Sequence, residues 1–209
     1  MPRVKYLNDR LDRSSRNKRD PREDYLIFCE WKSEKVYFEY LRQYGKSITC
    51  KILDHKDYRW IADEIWKEID WLSESDHIFC VIDKDNHQEK EYKENYERIA
   101  QYSKVIFSSK SFEVWILMHF SRFDKCVLKP SEYDKEINRV YGKYFRWKWI
   151  RKKIIKPYSN EIWEALDEKI KDAINNAKFV SEKQLRENNK NIFKCEPYTD
   201  VRKLVKELI

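Results

Sequence analysis

Residues 78–86 read IFCVIDKDN, and this stretch decides which fold the chain adopts. Its five apolar residues stand in a row without polar alternation, which is typical of a strand buried on both faces of a parallel sheet. Asp83 and Asp85 follow immediately, in a polar segment of the kind that forms turns. The stretch therefore predicts a central strand that ends in an acidic loop.

Further strands and helices alternate on either side of this strand. Residues 25–29, YLIFC, form a second apolar run, which Glu30 follows. Residue patterns also predict strands over 47–53 and 104–107 and helices over 33–45, 58–73, 87–102 and 112–120. We expect Ser33 to cap the first helix and Gly45 to end it. This alternation predicts an α/β fold with a parallel or mostly parallel sheet and helices on both faces.

After residue 120 the pattern changes to helices alone. Amphipathic stripes run through residues 162–177 and 201–208, and no Gly/Ser linker separates them from the α/β part. We therefore predict three segments in one compact unit. They are a basic N-terminal arm (1–22), an α/β core (23–120) and a helical C-terminal portion packed on that core (121–209).

Composition removes several classes of function. The 209 residues include only two glycines, Gly45 and Gly142, so neither a GxGxxG loop nor a GxxxxGK[ST] loop can be written. A dinucleotide-binding Rossmann domain and a P-loop nucleotide hydrolase are thereby excluded. The five scattered cysteines form no CxxC pair, which argues against a zinc ribbon and favours the reducing cytoplasm. No apolar run reaches the roughly 18 residues of a membrane span, so we expect no membrane association.

Positive charge is concentrated in two segments of the chain. The net charge is +7, but residues 1–22 hold eight basic and three acidic residues, and residues 142–157 hold seven basic residues and no acid. In the second segment aromatic residues alternate with Arg146, Lys148, Arg151, Lys152 and Lys153. Basic side chains can bind the phosphates of a nucleic acid and aromatic rings can stack on its bases, so this composition favours nucleic acid as a partner. The alternatives are a solvated helix whose aromatic face packs on the body, and a solubilising arm.

Three carboxylates are expected at one edge of the sheet. Glu30 follows the first strand, and Asp83 and Asp85 follow the third. Since parallel strands end at the same edge, all three should face the same space. Hard oxygen ligands of this kind suit Mg²⁺ or Mn²⁺, which can promote phosphodiester hydrolysis. The alternative for each acid alone is structural, because loop aspartates bond to nearby amides and glutamates at strand ends are often solvated.

Four stretches of the sequence together resemble a known family. CEWKSEKVYFEYL, CVIDKDNH and SSKSFEVWILMHF are similar to the CEG-x-x-TE-x-x-YF, DxDxH and SNP-x-FE-x-W-x-x-x-HF blocks of the RloB-like family. The terminal EPYTDVRKLVKEL resembles the closing helix of that family. The resemblance runs from the N-terminal arm to the last residues and is weak only between about 121 and 180.

The resemblance implies a Toprim fold, a Rossmann-like mostly parallel sheet with a metal-dependent catalytic edge. It implies Glu30 as general acid/base and metal-proximal carboxylate, and Asp83 and Asp85 as metal ligands. Glu34 and Glu113 match further motif positions and join the predicted catalytic set, and His87 matches another motif position. The family is associated with phage defence and abortive infection, often beside an AAA-type ATPase. The chain is therefore expected to be a defence nuclease acting on DNA or RNA, including tRNA.

Two positions depart from the family pattern. Trp31 stands where the family has glycine, and Lys110 stands where it has proline. A tryptophan beside the acid/base could stack on a base of a bound strand, so we include Trp31 among the predicted nucleic-acid contacts. It could equally mark a site that has lost its chemistry. The alternative function is then a non-catalytic nucleic-acid-binding or partner-binding module, and a third is an inhibitor or assembly subunit of an ATPase.

Overall fold

The computed structural model describes residues 23–53, 60–70, 77–84, 88–125, 132–133, 135–137, 139–140 and 160–209. Several predictions fall outside these ranges. They concern the arm 1–22, the ligand Asp85, His87, and the basic segment with Arg146, Lys148, Arg151, Lys152 and Lys153. The core, the remaining predicted site residues and most of the helical C-terminal portion can be compared with the structure directly.

Within the described residues, four parallel strands form the sheet. They are β1 (Asp24–Cys29), β2 (Ser47–Ile52), β3 (His77–Asp83) and β4 (Lys104–Ser108), in the spatial order β2-β1-β3-β4. Every neighbouring pair is parallel. After its first residue β1 is buried throughout, as is β3 from Phe79 onward, because helices cover both faces of the sheet. The α/β fold and the parallel sheet are thus confirmed.

The helices occupy the connections and the C-terminal portion. In the described part of the chain, the helices with complete bounds are α1 (Lys32–Tyr40), α2 (Ile61–Asp70), α3 (Glu89–Ile99), α4 (Glu113–Met118), α5 (Asn160–Glu168), α6 (Ile170–Glu187) and α7 (Val201–Leu208), and residues 132–140 include further helical residues. Single 3₁₀ turns lie at Leu41–Tyr44 and Ile192–Lys194. None of the helices in the described part of the chain is long and apolar enough to cross a bilayer.

Two details of the predicted helices were wrong and one held. Ser33 does not cap α1, because the helix already begins at Lys32 and Trp31 takes the N-cap position. The stripe over 162–177 belongs to two helices, separated at Lys169. Gly45 ends the 3₁₀ turn that extends α1, with a φ of 88° in the left-handed region that favours glycine.

Successive residues of each strand face two different hydrophobic clusters, as the pleat requires. Tyr25, Ile27 and Cys29 of β1 pack with apolar residues of α1, α4, α6 and α7. Leu26 and Phe28 pack with apolar residues of α2, α3 and the second 3₁₀ turn. The helices therefore cover both faces, and the C-terminal helices contribute to one core together with the sheet.

The strand order creates a switch point between β1 and β3. From β1 the chain moves outward to β2, whereas from β3 it moves outward in the opposite direction to β4. The connections that leave β1 and β3 lie on opposite faces, since α1 packs on one cluster and α3 on the other. In open parallel sheets such a point leaves a crevice beyond the carboxyl ends of the strands, where ligands bind.

A closing segment, residues 195–200, lies along the end of β4. Thr199 forms an antiparallel bridge with Ser108, and their hydroxyl oxygens are 3.1 Å apart. The Ser109 N–H donates to the Tyr198 carbonyl and the Tyr198 N–H donates to Ser109 Oγ, both at 2.9 Å. These bonds fix the residues before α7 at the carboxyl edge of the sheet.

Candidate acidic site

Glu30 and Asp83 meet at the switch point. Glu30 directly follows β1 and is half-buried, and Asp83 is the last residue of β3 and only 4% exposed. A carboxylate oxygen of Glu30, Oε2, accepts a hydrogen bond from the Asp83 backbone N–H at 3.1 Å. The structure therefore brings these two predicted site residues into direct contact.

The Asp83 side chain is held from the other direction by the start of α4. Its Oδ2 accepts a hydrogen bond from the Phe112 backbone N–H at 3.1 Å. Phe112 is anchored in the core by ring contacts with Tyr37 and Phe38 of α1. The orientation of the Asp83 carboxylate thus depends on the packing of α4 against α1.

Glu34 holds the turn that carries Glu30. Its Oε2 accepts hydrogen bonds from the backbone N–H groups of Glu30, at 2.8 Å, and of Trp31, at 3.2 Å. Trp31 is the N-cap of α1, so its N–H is one of those that a helix leaves unpaired at its start, and Glu30 lies one residue before it. Glu34, at the third helical position, makes the half of a capping box in which that side chain accepts from the N-cap N–H. The Trp31 indole can only donate, so it cannot make the other half.

The environment of Glu34 disfavours its charged form. The side chain is fully buried, and Oε1 has no hydrogen-bond partner among the described residues. Burial raises the pKa of Glu34 well above its usual range, and the negative charges of Glu30 and Glu113 raise it further. The two N–H bonds to Oε2 offset this only in part. Glu34 therefore keeps its proton to a higher pH than an ordinary glutamate.

Glu113 completes the acidic group on this side of the sheet. It is the first residue of α4 and is half-buried. The residue before it, Phe112, donates its backbone N–H to the Asp83 carboxylate, which places Glu113 at the same edge of the sheet. Glu30, Glu34, Asp83 and Glu113 thus all lie at this edge.

Trp31 has an ordinary backbone conformation despite replacing the family glycine. Its φ of −126° and ψ of 156° are extended values that any residue adopts. Its side chain is 61% exposed although it is large and apolar. The substitution therefore imposes no backbone strain, and its effect is to place an indole ring in solvent next to Glu30.

Local sequence patterns did not identify three charged residues near this edge. Lys84 donates from Nζ to the Phe193 carbonyl at 2.8 Å and lies 3.7 Å from Oε1 of Glu196. Lys110 lies 3.3 Å from the same oxygen. Their sequence separation hides this cluster from any local pattern, although each residue lies within one of the quoted motif stretches.

The side-chain atoms of the site that could bind a metal ion are carboxylate oxygens, and the thiols near the site are protonated. Burial raises the pKa of the Cys29 and Cys80 thiols well above their usual range, so neither is a ready thiolate ligand. The chemistry of Glu30 and Asp83 fits Mg²⁺ or Mn²⁺. Within the described residues, no group of three or more His, Cys, Asp or Glu side chains is arranged to hold a metal ion. The third predicted ligand, Asp85, lies outside them.

His119, the last polar residue of the third motif block, is a core residue. It is 1% exposed, and its Nδ1 donates to the Trp115 carbonyl at 3.0 Å. Its ring also contacts those of Trp115 and Tyr37. His119 is therefore a hydrogen-bonded part of the core rather than of the acidic site.

A parallel sheet covered by helices on both faces, with carboxylates at its switch point, defines a Rossmann-like α/β protein with an acidic site. Comparison with known families then gives the particular group. The family model described as RloB-like protein matches residues 25–208, from β1 to the end of α7. The chain therefore belongs to the RloB-like family, which confirms the resemblance seen in its motifs.

The matched region includes Glu30, Asp83 and the closing segment. No curated protein and no solved structure is similar enough to this chain to count as a match.

Proposed function

We propose that this chain is a divalent-metal-dependent nuclease of the Toprim type, which hydrolyses phosphodiester bonds in DNA or RNA. The observation that carries the proposal is the hydrogen bond, 3.1 Å long, from the Asp83 backbone N–H to the Glu30 carboxylate. It joins two hard-oxygen side chains at the switch point of a parallel sheet, where ligand sites form.

In this proposal Asp83 and Asp85, with Glu30 beside them, hold Mg²⁺ or Mn²⁺. A bound ion would neutralise charge on the phosphate and lower the pKa of water. Glu30, which is half-buried, would take a proton from the attacking water or return one to the leaving oxygen. Glu34 fixes the backbone on both sides of this turn, and Glu113 adds to the negative field that attracts a cation.

Cleavage assays on labelled DNA and RNA, with Mg²⁺, Mn²⁺ or chelator, test the proposal. Glu30→Gln keeps an oxygen that can accept the Asp83 N–H, and Asp83→Asn keeps one for the Phe112 N–H. Both variants should fold yet lose activity, by about 10²- to 10⁴-fold for the acid/base. The matched control is Glu97→Gln on the exposed face of α3, which should cleave as the wild type does.

The result can contradict the proposal in two ways. Cleavage that survives in chelator would remove the metal from the reaction. Folded Glu30→Gln and Asp83→Asn variants that cleave at the wild-type rate would place the active site elsewhere.

The second candidate function is nucleic-acid binding without cleavage. The exposed indole of Trp31 beside Glu30 favours it, because such rings stack on unpaired bases. This candidate predicts that a labelled strand binds in chelator and stays intact in every metal. Replacing Trp31 with alanine would then weaken binding, and Glu30→Gln would leave binding unchanged.

We further propose a setting in antiviral defence with an AAA-type ATPase partner, which membership in the RloB-like family supports. The prediction is a stoichiometric ATPase that co-purifies with the tagged chain and changes its nuclease activity. Nuclease activity that no co-purified protein alters would contradict this part. An ATPase complex with neither cleavage nor nucleic-acid affinity would favour an inhibitor or assembly subunit.

A further inference from the structure

Two lysines at the carboxyl edge of the sheet converge on one carboxylate oxygen. Lys84 follows β3 and Lys110 follows β4, the neighbouring strand. Their ammonium groups lie 3.7 and 3.3 Å from Oε1 of Glu196. Their side chains are only 13% and 19% exposed, and that of Glu196 is 26% exposed. The three charges thus form a partly buried cluster with an excess of positive charge.

The cluster is held in place by the backbone around it. The Lys84 backbone N–H donates to the Ser108 carbonyl at 2.9 Å, which ties its loop to β4. Glu196 belongs to the closing segment, and its own N–H donates to the Gln184 side chain of α6 at 3.2 Å. Both partners of the ion pairs are therefore positioned by contacts that do not depend on the pairs themselves.

Lys84 and Asp83 lie on different sides of the sheet edge. The Asp83 carboxylate bonds to the Phe112 N–H at the start of α4, whereas the Lys84 ammonium bonds to the Phe193 carbonyl in the second 3₁₀ turn. Phe112 and Phe193 pack in the hydrophobic clusters on opposite faces of the sheet. This is expected because successive residues of an extended chain point to alternate faces. An anion bound by the lysines would therefore lie at the same edge of the sheet as the Glu30 and Asp83 carboxylates, but toward the opposite face.

We infer that Lys84 and Lys110 bind a backbone phosphate of a nucleic-acid strand adjacent to the phosphate at the acidic site, and that Glu196 takes the place of this phosphate in the free protein. The inference rests on the proposed action on nucleic acid. Two converging ammonium groups suit an anion with several oxygens, and Glu196 supplies such an anion from within the chain. The Asp83 carboxylate and the Lys84 ammonium bond to groups on opposite faces of the sheet, so a ligand that reaches both must cross the edge, as consecutive phosphates of a strand can.

The test is the binding of labelled single-stranded DNA and RNA, measured by fluorescence anisotropy in chelator over a range of KCl concentrations. Lys110→Met should weaken binding and reduce the slope of log K against log salt by roughly 0.7. Glu196→Gln should tighten binding roughly fivefold, the worth of a partly exposed ion pair, because the internal competitor loses its charge. Lys110→Arg should retain the wild-type affinity. Lys93→Met is the matched control, since Lys93 also pairs with a glutamate, on the exposed face of α3.

Two results would overturn the inference. One is a Lys110→Met variant with the affinity and salt slope of Lys93→Met, and the other is a Glu196→Gln variant that binds no more tightly than wild type. A wild-type protein with no affinity for either strand would overturn it as well. Binding is measured in chelator and so does not depend on cleavage. Absence of cleavage in the separate assays with Mg²⁺ and Mn²⁺ would refute the nuclease proposal and leave this binding result standing.

Discussion

Replacing His119 should remove a large part of the acid sensitivity of the fold. His119 is fully buried after α4, and burial lowers its pKa to about 4. Its Nδ1–H bond to the Trp115 carbonyl opposes this effect, as does the negative charge of Asp172, but both are weaker than the loss of solvent. The imidazole therefore stays neutral in the folded protein at a pH where an exposed histidine is charged.

The magnitude follows from the two pKa values. The unfolded chain takes up a proton at this residue below about pH 6.5, whereas the folded protein takes it up only near pH 4. The free energy of unfolding therefore falls as the pH drops through this window. The loss from this residue is about 3 kcal/mol in full and about 2 kcal/mol between pH 7 and pH 5.

Urea unfolding at these two pH values measures the effect. His119→Gln keeps a side-chain N–H donor, and His119→Phe keeps a ring among the aromatic neighbours, but neither titrates. Both variants should lose about 2 kcal/mol less than wild type on acidification, whatever their stability at pH 7. Other titrating groups are shared by all three proteins and cancel in this comparison. Equal losses in wild type and both variants would refute the reasoning.

Three further predictions concern the site and its support. The free energy of unfolding of wild type should fall as the pH rises above about 4.5, because the buried Glu34, whose pKa is raised, favours folding only while its carboxyl is protonated. Glu34→Gln should show a smaller fall, which urea unfolding at a series of pH values measures, and a fall equal to that of wild type contradicts the prediction. Ser109→Ala should destabilise the fold by about 1–3 kcal/mol, because the buried Tyr198 N–H loses its acceptor; a thermal melt unchanged from wild type contradicts this. Trp31→Gly should leave the thermal melt nearly unchanged and weaken single-strand binding in chelator by about 1–3 kcal/mol; full affinity would exclude stacking.

The strands and the placement of Glu30 and Asp83 at one edge of the sheet could be predicted because they depend on simple rules. An uninterrupted apolar run predicts a strand buried on both faces, and parallel strands end at one edge. The order of the strands could not be predicted from these runs. It places β1 next to β3, and this neighbourhood turns two acids on the same edge into acids in contact.

The support of the site was harder to predict for two different reasons. Glu34 binds the N–H groups of Glu30 and Trp31, which is a local arrangement with a recognisable spacing. Ser33 suggested an N-cap because serine is common there, but the helix begins one residue earlier, and Glu34 then stands at the third helical position. Glu196, in contrast, reaches Lys84 and Lys110 through the tertiary packing of the closing segment, which no local pattern encodes.

Trp31 shows how the structure changes the meaning of a sequence difference. A glycine replaced by tryptophan first suggests a turn that can no longer form, and hence a damaged site. The extended backbone of Trp31 removes that objection, because no left-handed conformation is needed there. Glycine and tryptophan at this position therefore differ only in the side chain, because glycine leaves the space above the turn that carries Glu30 open. The exposed indole occupies that approach, so a strand must either stack on it or be displaced by it. Since the exposed ring is expected to hold the strand by stacking, glycine at this position should lower cleavage together with binding, and increased cleavage would show instead that the ring obstructs the strand.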